Sequence, residues 1–176
     1  MTRARRTFIF VAIAAGLASS LSLIGGIGLE YISNKFLPLI PLIIALPGLN
    51  DIVGDYASII AAHTGDPTER KRSKKTLAIS IFKVLVINVS ALAIFSLILA
   101  GVRGYMITAG FLAEFLIFVF VAVGLTVAFM FIISHILDVI LRKEKINPDE
   151  LLIPVVTSIA DIFMLIMVTI AVLTVF

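Results

Sequence analysis

YMITAGFLAEFLIFVFVAVGLTVAFMFIISHILDVIL, Tyr105 to Leu141, carries no charged residue between Glu114 and His135. A helix crosses the roughly 30 Å hydrocarbon core of a bilayer with about 18 or more apolar residues in succession. This run exceeds that length, and as a helix it would be apolar all round, with no face to present to water. Four more runs of the same kind flank it: Thr7 to Leu29, Leu37 to Ala62, Leu77 to Gly101 and Leu151 to Phe176. The chain is 61% apolar and 14% charged, with a mean hydropathy of +1.19. Soluble domains are closer to half apolar.

The expected fold is therefore all-α and integral to the membrane, with five transmembrane helices at about 7–29, 37–62, 77–101, 105–141 and 151–176. The period-2 alternation of a membrane barrel is absent. The connectors are short and polar, so residues 1–176 read as a single transmembrane domain. Six residues precede the first run, which leaves no room there for a cytoplasmic regulatory domain. Arg3, Arg5 and Arg6 followed by apolar residues and "AAGLASS" also have the form of a secretory signal peptide. The charge alternation of the connectors nevertheless requires this run as a helix, and Gly16, Ser19, Ser20, Ser22, Gly25, Gly26 and Gly28 suit a close-packed helix surface.

Loops on the cytoplasmic side of a membrane collect Lys and Arg. One alternate set of connectors holds Arg3, Arg5, Arg6, then Arg70, Lys71, Arg72, Lys74, Lys75, then Arg142, Lys143, Lys145. The other set holds only Lys35 and Arg103. The N-terminus is expected inside and the C-terminus outside, in a multi-pass cell-membrane protein of prokaryotic type. The net charge of +3 follows from this asymmetry and calls for no nucleic-acid partner. The "ERKRSKK" run, Glu69 to Lys75, reads as a topology signal against anionic lipid headgroups.

Ionisable groups inside membrane helices are costly and usually face a protein interior or a water-filled path. Asp51, Asp55 and Asp161 are such groups. Counting helix rise at about 1.5 Å per residue puts Asp51 and Asp161 roughly 15 to 18 Å in, near the midplane. Asp55 lies one turn from Asp51 on the same helix face. Pro47 removes an N–H and Gly48 admits a close neighbour, and Pro41 and Pro47 are expected to kink the second helix. Pro154, Thr157, Ser158 and Asp161 form a similar polar stripe in the last helix. Kinked or broken helices that meet at mid-depth are the usual setting of a transporter substrate site. Lys83 lies at the depth of Asp55 and offers a structural ion pair as the alternative explanation of that residue. Glu114 suits an outer mouth or a simple interfacial charge, and His135 and Asp138 fall near a helix end where solvated residues are ordinary.

Carboxylates, carbonyls and hydroxyls are hard ligands, suited to Mg²⁺, Mn²⁺ or another hard divalent ion. Mg²⁺ gives up water reluctantly, so a membrane site for it would use few carboxylates and water-mediated contacts. Cysteine is absent and the two histidines form no HExxH pair, and neither a phosphate-cradling loop nor a nucleophile elbow is present, so the chain is not expected to be an enzyme.

At "INPDELLIPVVTSIADIF", Ile146 to Phe163, the sequence resembles the membrane domain of the MgtE magnesium channels and their eukaryotic solute-carrier relatives. The resemblance rests on Asn147, Pro148 and Asp149, then Pro154, Thr157 and Asp161 at matching spacing. It implies a homodimer with a pore on the two-fold axis, where Asp161 of both subunits binds hydrated Mg²⁺ and the backbone near Thr157 shares its waters. The family's Gly-Asn pair in the second helix stands here as Leu49-Asn50. The resemblance implies Asp161, Thr157 and Asn50 as metal-site residues, and the depth and helix face of Asp51, Asp55 and Gly48 add these three to the expected site; the expected partners are a second copy, membrane lipid and the divalent cation. Two other functions fit parts of the pattern. One is an accessory membrane subunit whose aspartates form structural ion pairs. The other is an intramembrane aspartyl protease, for which "VGD" at Val53 to Asp55 lacks the first glycine of the GxGD element and no Tyr-Asp partner motif exists.

Overall fold

The computed structural model describes residues 40–66, 74–144 and 148–174, with six separate helical positions nearer the N-terminus, Ile9, Ala12, Ile13, Gly16, Ser20 and Leu23. Ser20 Oγ donates to the Gly16 carbonyl at 2.8 Å. The rest of the expected first helix, 7–29, lies outside the described residues. Four long helices follow: α1 (Ile40–Gly65), α2 (Lys74–Val102), α3 (Ala109–Lys143) and α4 (Pro148–Thr174). All four are long and apolar enough to cross a membrane. Among the described residues there is no strand. The bounds expected from the sequence fall within a few residues of these.

Local chemistry accounts for the helix ends. Pro41 sits in the first turn of α1 and Pro148 opens α4, where the missing N–H would have had no partner in any case. Pro41 therefore starts α1 and does not kink it. α2 ends in a Schellman motif: Tyr105 N–H donates to the Ala100 carbonyl at 3.1 Å and Gly104 N–H to Gly101 at 2.9 Å. Gly104 supplies the positive φ, 83°, that this motif requires. α3 then begins at an N-cap, Thr108, whose side chain accepts from Phe111 N–H at 3.3 Å. Arg142 and Lys143 in the last turn of α3 complement the negative end of its dipole.

The helices pack as one bundle. α1 lies most extensively on α4, both pack on α3, and α2 sits at the edge against α1. Leu42, Leu49, Val53 and Ile60 of α1 meet Phe115, Val119, Val123 and Met130 of α3 and Leu152, Val156, Met164 and Val168 of α4. α2 contributes a row spaced by four, Ile81, Leu85, Val89 and Ala93. Its opposite face is equally apolar but exposed, with Phe82, Ile87, Ile94, Phe95 and Ile98 all outward. A helix that is hydrophobic all round yet buried on one side belongs in lipid. Across α1 and α2, Asn88 Nδ2 donates to Tyr56 Oη at 3.2 Å. Phe129 and Phe163 stack between α3 and α4 with centroids 4.5 Å apart.

α1 and α4 continue as helix through Pro47 and Pro154. Each proline removes one backbone bond, and the bonds on either side carry the helix through. One expectation is corrected, that for Asp138. It is fully buried, not solvated, and accepts from Arg142 Nε at 2.8 Å. Arg142 Nη2 also donates to the Gly65 carbonyl at 2.9 Å, so the ends of α1 and α3 meet at one end of the bundle.

Candidate cation site

A pocket of about 370 Å³ opens between α1 and α4, lined by Pro47, Asn50, Asp51, Gly54, Asp55, Ser58, Thr157 and Asp161. From α1 these positions recur at intervals of three and four, so a single helix face supplies them all. Asp161 stands 13 residues from either end of α4, and Asp51 stands 11 and 14 residues from the ends of α1. At about 1.5 Å per residue both carboxylates sit near the middle of helices some 40 Å long. The pocket is thus remote from both ends of the bundle.

Pocket shape depends on what is missing from α1. Gly54 stands opposite Asp161, and a methyl group placed there would lie 3.8 Å from Asp161 Oδ1. Without it the carboxylate faces backbone and open space. Asp161 and Asn50 are partly buried, while Asp51 and Asp55 are exposed on the surface of the single chain.

Pro154 shapes the opposite wall. Thr157 Oγ1 lies 3.0 Å from the Ile153 carbonyl and 3.1 Å from that of Pro154, and Ser158 Oγ donates to Pro154 at 2.7 Å. With its single hydrogen committed to the helix backbone, the Thr157 hydroxyl has only acceptor capacity left for the pocket. The Asn50 Oδ1 atom is buried and has no hydrogen-bond partner. Buried acceptors in this state ordinarily bind water or an ion. The polar groups of the lining are therefore mostly oxygen acceptors, three of them carboxylates. Among the described residues no three carboxylate or imidazole groups are close enough together to ligate one bare ion.

Five of the six residues expected at a metal site share this pocket: Asn50, Asp51, Asp55, Thr157 and Asp161. Gly48 does not line it. It lies beneath Leu92 of α2, whose Cδ1 would be 2.5 Å from an added Cβ, so it serves helix packing. Gly54 and Ser58 were missed because neither carries a charge. The spacing of Pro47, Asp51, Gly54 and Ser58 along one face was the signal that would have found them. Lys83 is exposed on α2, and among the described residues it forms no ion pair with Asp55.

Four helices long and apolar enough to cross a membrane, with a carboxylate-lined pocket midway along two of them, define a multi-pass membrane protein. The family model of the MgtE divalent cation transporters matches residues 40–171, and the chain belongs to that family. It is a family of transporters, not of enzymes. No curated protein and no solved structure matches the chain.

Proposed function

We propose that the chain moves hydrated Mg²⁺ across a prokaryotic cell membrane through a pore completed by a second copy. The observation that carries this reading is the convergence of Asp51, Asp55, Asp161, Asn50 and Thr157 on one pocket at half depth. Six water molecules occupy roughly 180 Å³ at about 30 Å³ each, so an ion with its whole first shell fits within the pocket. The scatter of the carboxylates favours contact through that shell over direct ligation. Mn²⁺ and other hard divalent ions fit the same acceptors.

Exposure supports dimerisation. Asp51 and Asp55 are exposed on the single chain at a depth where hydrocarbon would surround them, which costs a few kcal/mol per charge on insertion scales. A second copy related by a two-fold axis covers this face and sets a second Asp161 against the first. The whole of 1–176 then acts as one transmembrane domain, with the first helix as its fifth span. The excess of Lys and Arg in alternate connectors supports an N-terminus inside and a C-terminus outside. The accessory-subunit reading loses its main support, since Lys83 does not neutralise Asp55.

Flux in liposomes tests the reading. Asp161→Asn and Asp161→Ala are expected to abolish Mg²⁺ uptake while the purified protein remains dimeric. Undiminished uptake by either variant would sink it.

A further inference from the structure

Arg142 joins two helices through one planar group. Its Nε donates to Asp138 Oδ1 at 2.8 Å and its Nη2 to the Gly65 carbonyl at 2.9 Å. The Asp138 side chain is fully buried and that of Arg142 is 37% exposed. Gly65 is the last residue of α1, where helix geometry leaves carbonyls without an internal donor.

A cation near a helix end needs none of this elaboration. A lysine would satisfy the dipole, and it would do so without burying a carboxylate. What Asp138 adds is direction. A guanidinium fork held at Nε has its remaining N–H groups aimed along fixed lines, and one of them meets α1.

The consequence reaches the pocket through α1 itself. α1 is unbroken from Ile40 to Gly65 and carries six of the eight pocket positions. It is seated under Leu92 of α2 at Gly48, and its last residue is tied by Arg142. Asp55 lies ten residues from the tie, about 15 Å along a rigid rod. Asp161 and Thr157 belong to α4, so any slide or rotation of α1 changes the span between the two walls.

We propose that Arg142, oriented by Asp138, is a positioning residue that holds the α1 wall of the cation site in register with Asp161. The proposal rests on the reading of that pocket as a cation site, and its test separates the two. The chain has no cysteine, so Ser58→Cys with Thr157→Cys places a unique thiol pair across the pocket. Formation of the intrachain disulfide is followed in the full-length, metal-free protein, with and without Arg142→Gln, Arg142→Lys and Asp138→Asn. In the cysteine-free background, Mg²⁺ uptake is measured against concentration.

All three substitutions are expected to change the cross-linking rate several-fold. They are expected to raise the half-saturating Mg²⁺ about ten-fold, as loss of outer-shell support does at metal sites, with uptake at saturation held within about two-fold. Full rescue by Arg142→Lys in both assays would overturn the proposal and leave a simple dipole cap. So would a lowered melting temperature with unchanged half-saturation and unchanged cross-linking. Should the Arg142 variants fail to fold, Asp138→Asn, which keeps shape and an acceptor oxygen, decides between the same outcomes. Unaltered Mg²⁺ uptake by Asp161→Asn would instead sink the cation-site reading, while the cross-linking rates would still report on the tie.

Discussion

Asp161 of α4 faces Gly54 of α1, and the space between them exists because position 54 has no side chain: an added methyl would lie 3.8 Å from Asp161 Oδ1. That separation is ordinary van der Waals contact, so an alanine fits without a clash. It would nonetheless narrow the space beside the carboxylate. The two walls of the pocket thus meet at a charge and a gap.

Gly54→Ala is expected to separate stability from transport. Alanine in place of glycine in a helix interior adds roughly 0.5 to 1 kcal/mol of stability. Loss of one charge-assisted hydrogen bond between the carboxylate and an ion's water shell, about 1.5 kcal/mol, is close to a ten-fold fall in apparent affinity. Thermal unfolding in detergent and Mg²⁺ uptake in liposomes, measured on the same preparation, should move in opposite directions. A variant that transports as well as the parent would show that water at this gap plays no part.

Thr157 supplies an acceptor, since its hydrogen is spent on the carbonyls of Ile153 and Pro154. Thr157→Val keeps the shape and removes the oxygen. One lost hydrogen bond of about 1 kcal/mol weakens apparent Mg²⁺ affinity roughly five-fold. Thr157→Ser should restore it, and a serine variant as weak as the valine one would assign Thr157 to packing.

Lys83 discriminates the ion-pair explanation of Asp55. It is exposed and forms no ion pair with Asp55, so Lys83→Gln should shift stability by less than about 0.5 kcal/mol. Uptake should stay near that of the parent. A large loss of stability, recovered by adding Asp55→Asn, would establish the pair after all.

Tyr56→Phe removes the acceptor of the Asn88 Nδ2 bond between α1 and α2. Interhelical hydrogen bonds in membrane proteins average about 0.6 kcal/mol, so the melting temperature in detergent should fall by about 2 °C. A fall of ten degrees or more would mean that this contact, not the packing of Leu85 and Val89, holds α2 to the bundle.

Most of the fold could be read from the chain because membrane helices announce themselves through length and composition alone. Tyr105 to Leu141 and α3 at Ala109–Lys143 nearly coincide, since hydrocarbon thickness sets a lower bound on any span. The aspartates were legible for the same reason: a charge at half depth is expensive and stands out. Gly48, Gly54 and Ser58 were harder, because a small residue can mean packing or space. Gly48 proved to be packing under Leu92, and Gly54 proved to be the gap before Asp161. Asp138 was misread because depth along one helix cannot show what a second helix covers. Arg142 pairs with it and reaches the end of α1.

A structure of the dimer determined with Mn²⁺ in place of Mg²⁺, located by its anomalous signal, bears on the account more directly than any variant. The account predicts a peak on the two-fold axis between the Asp161 carboxylates of the two copies, separated from them by water. Asn50 Oδ1 and the Thr157 hydroxyl should face that hydration shell. A peak elsewhere in the molecule, or Asp161 engaged by a basic side chain with no ion between the copies, would contradict it.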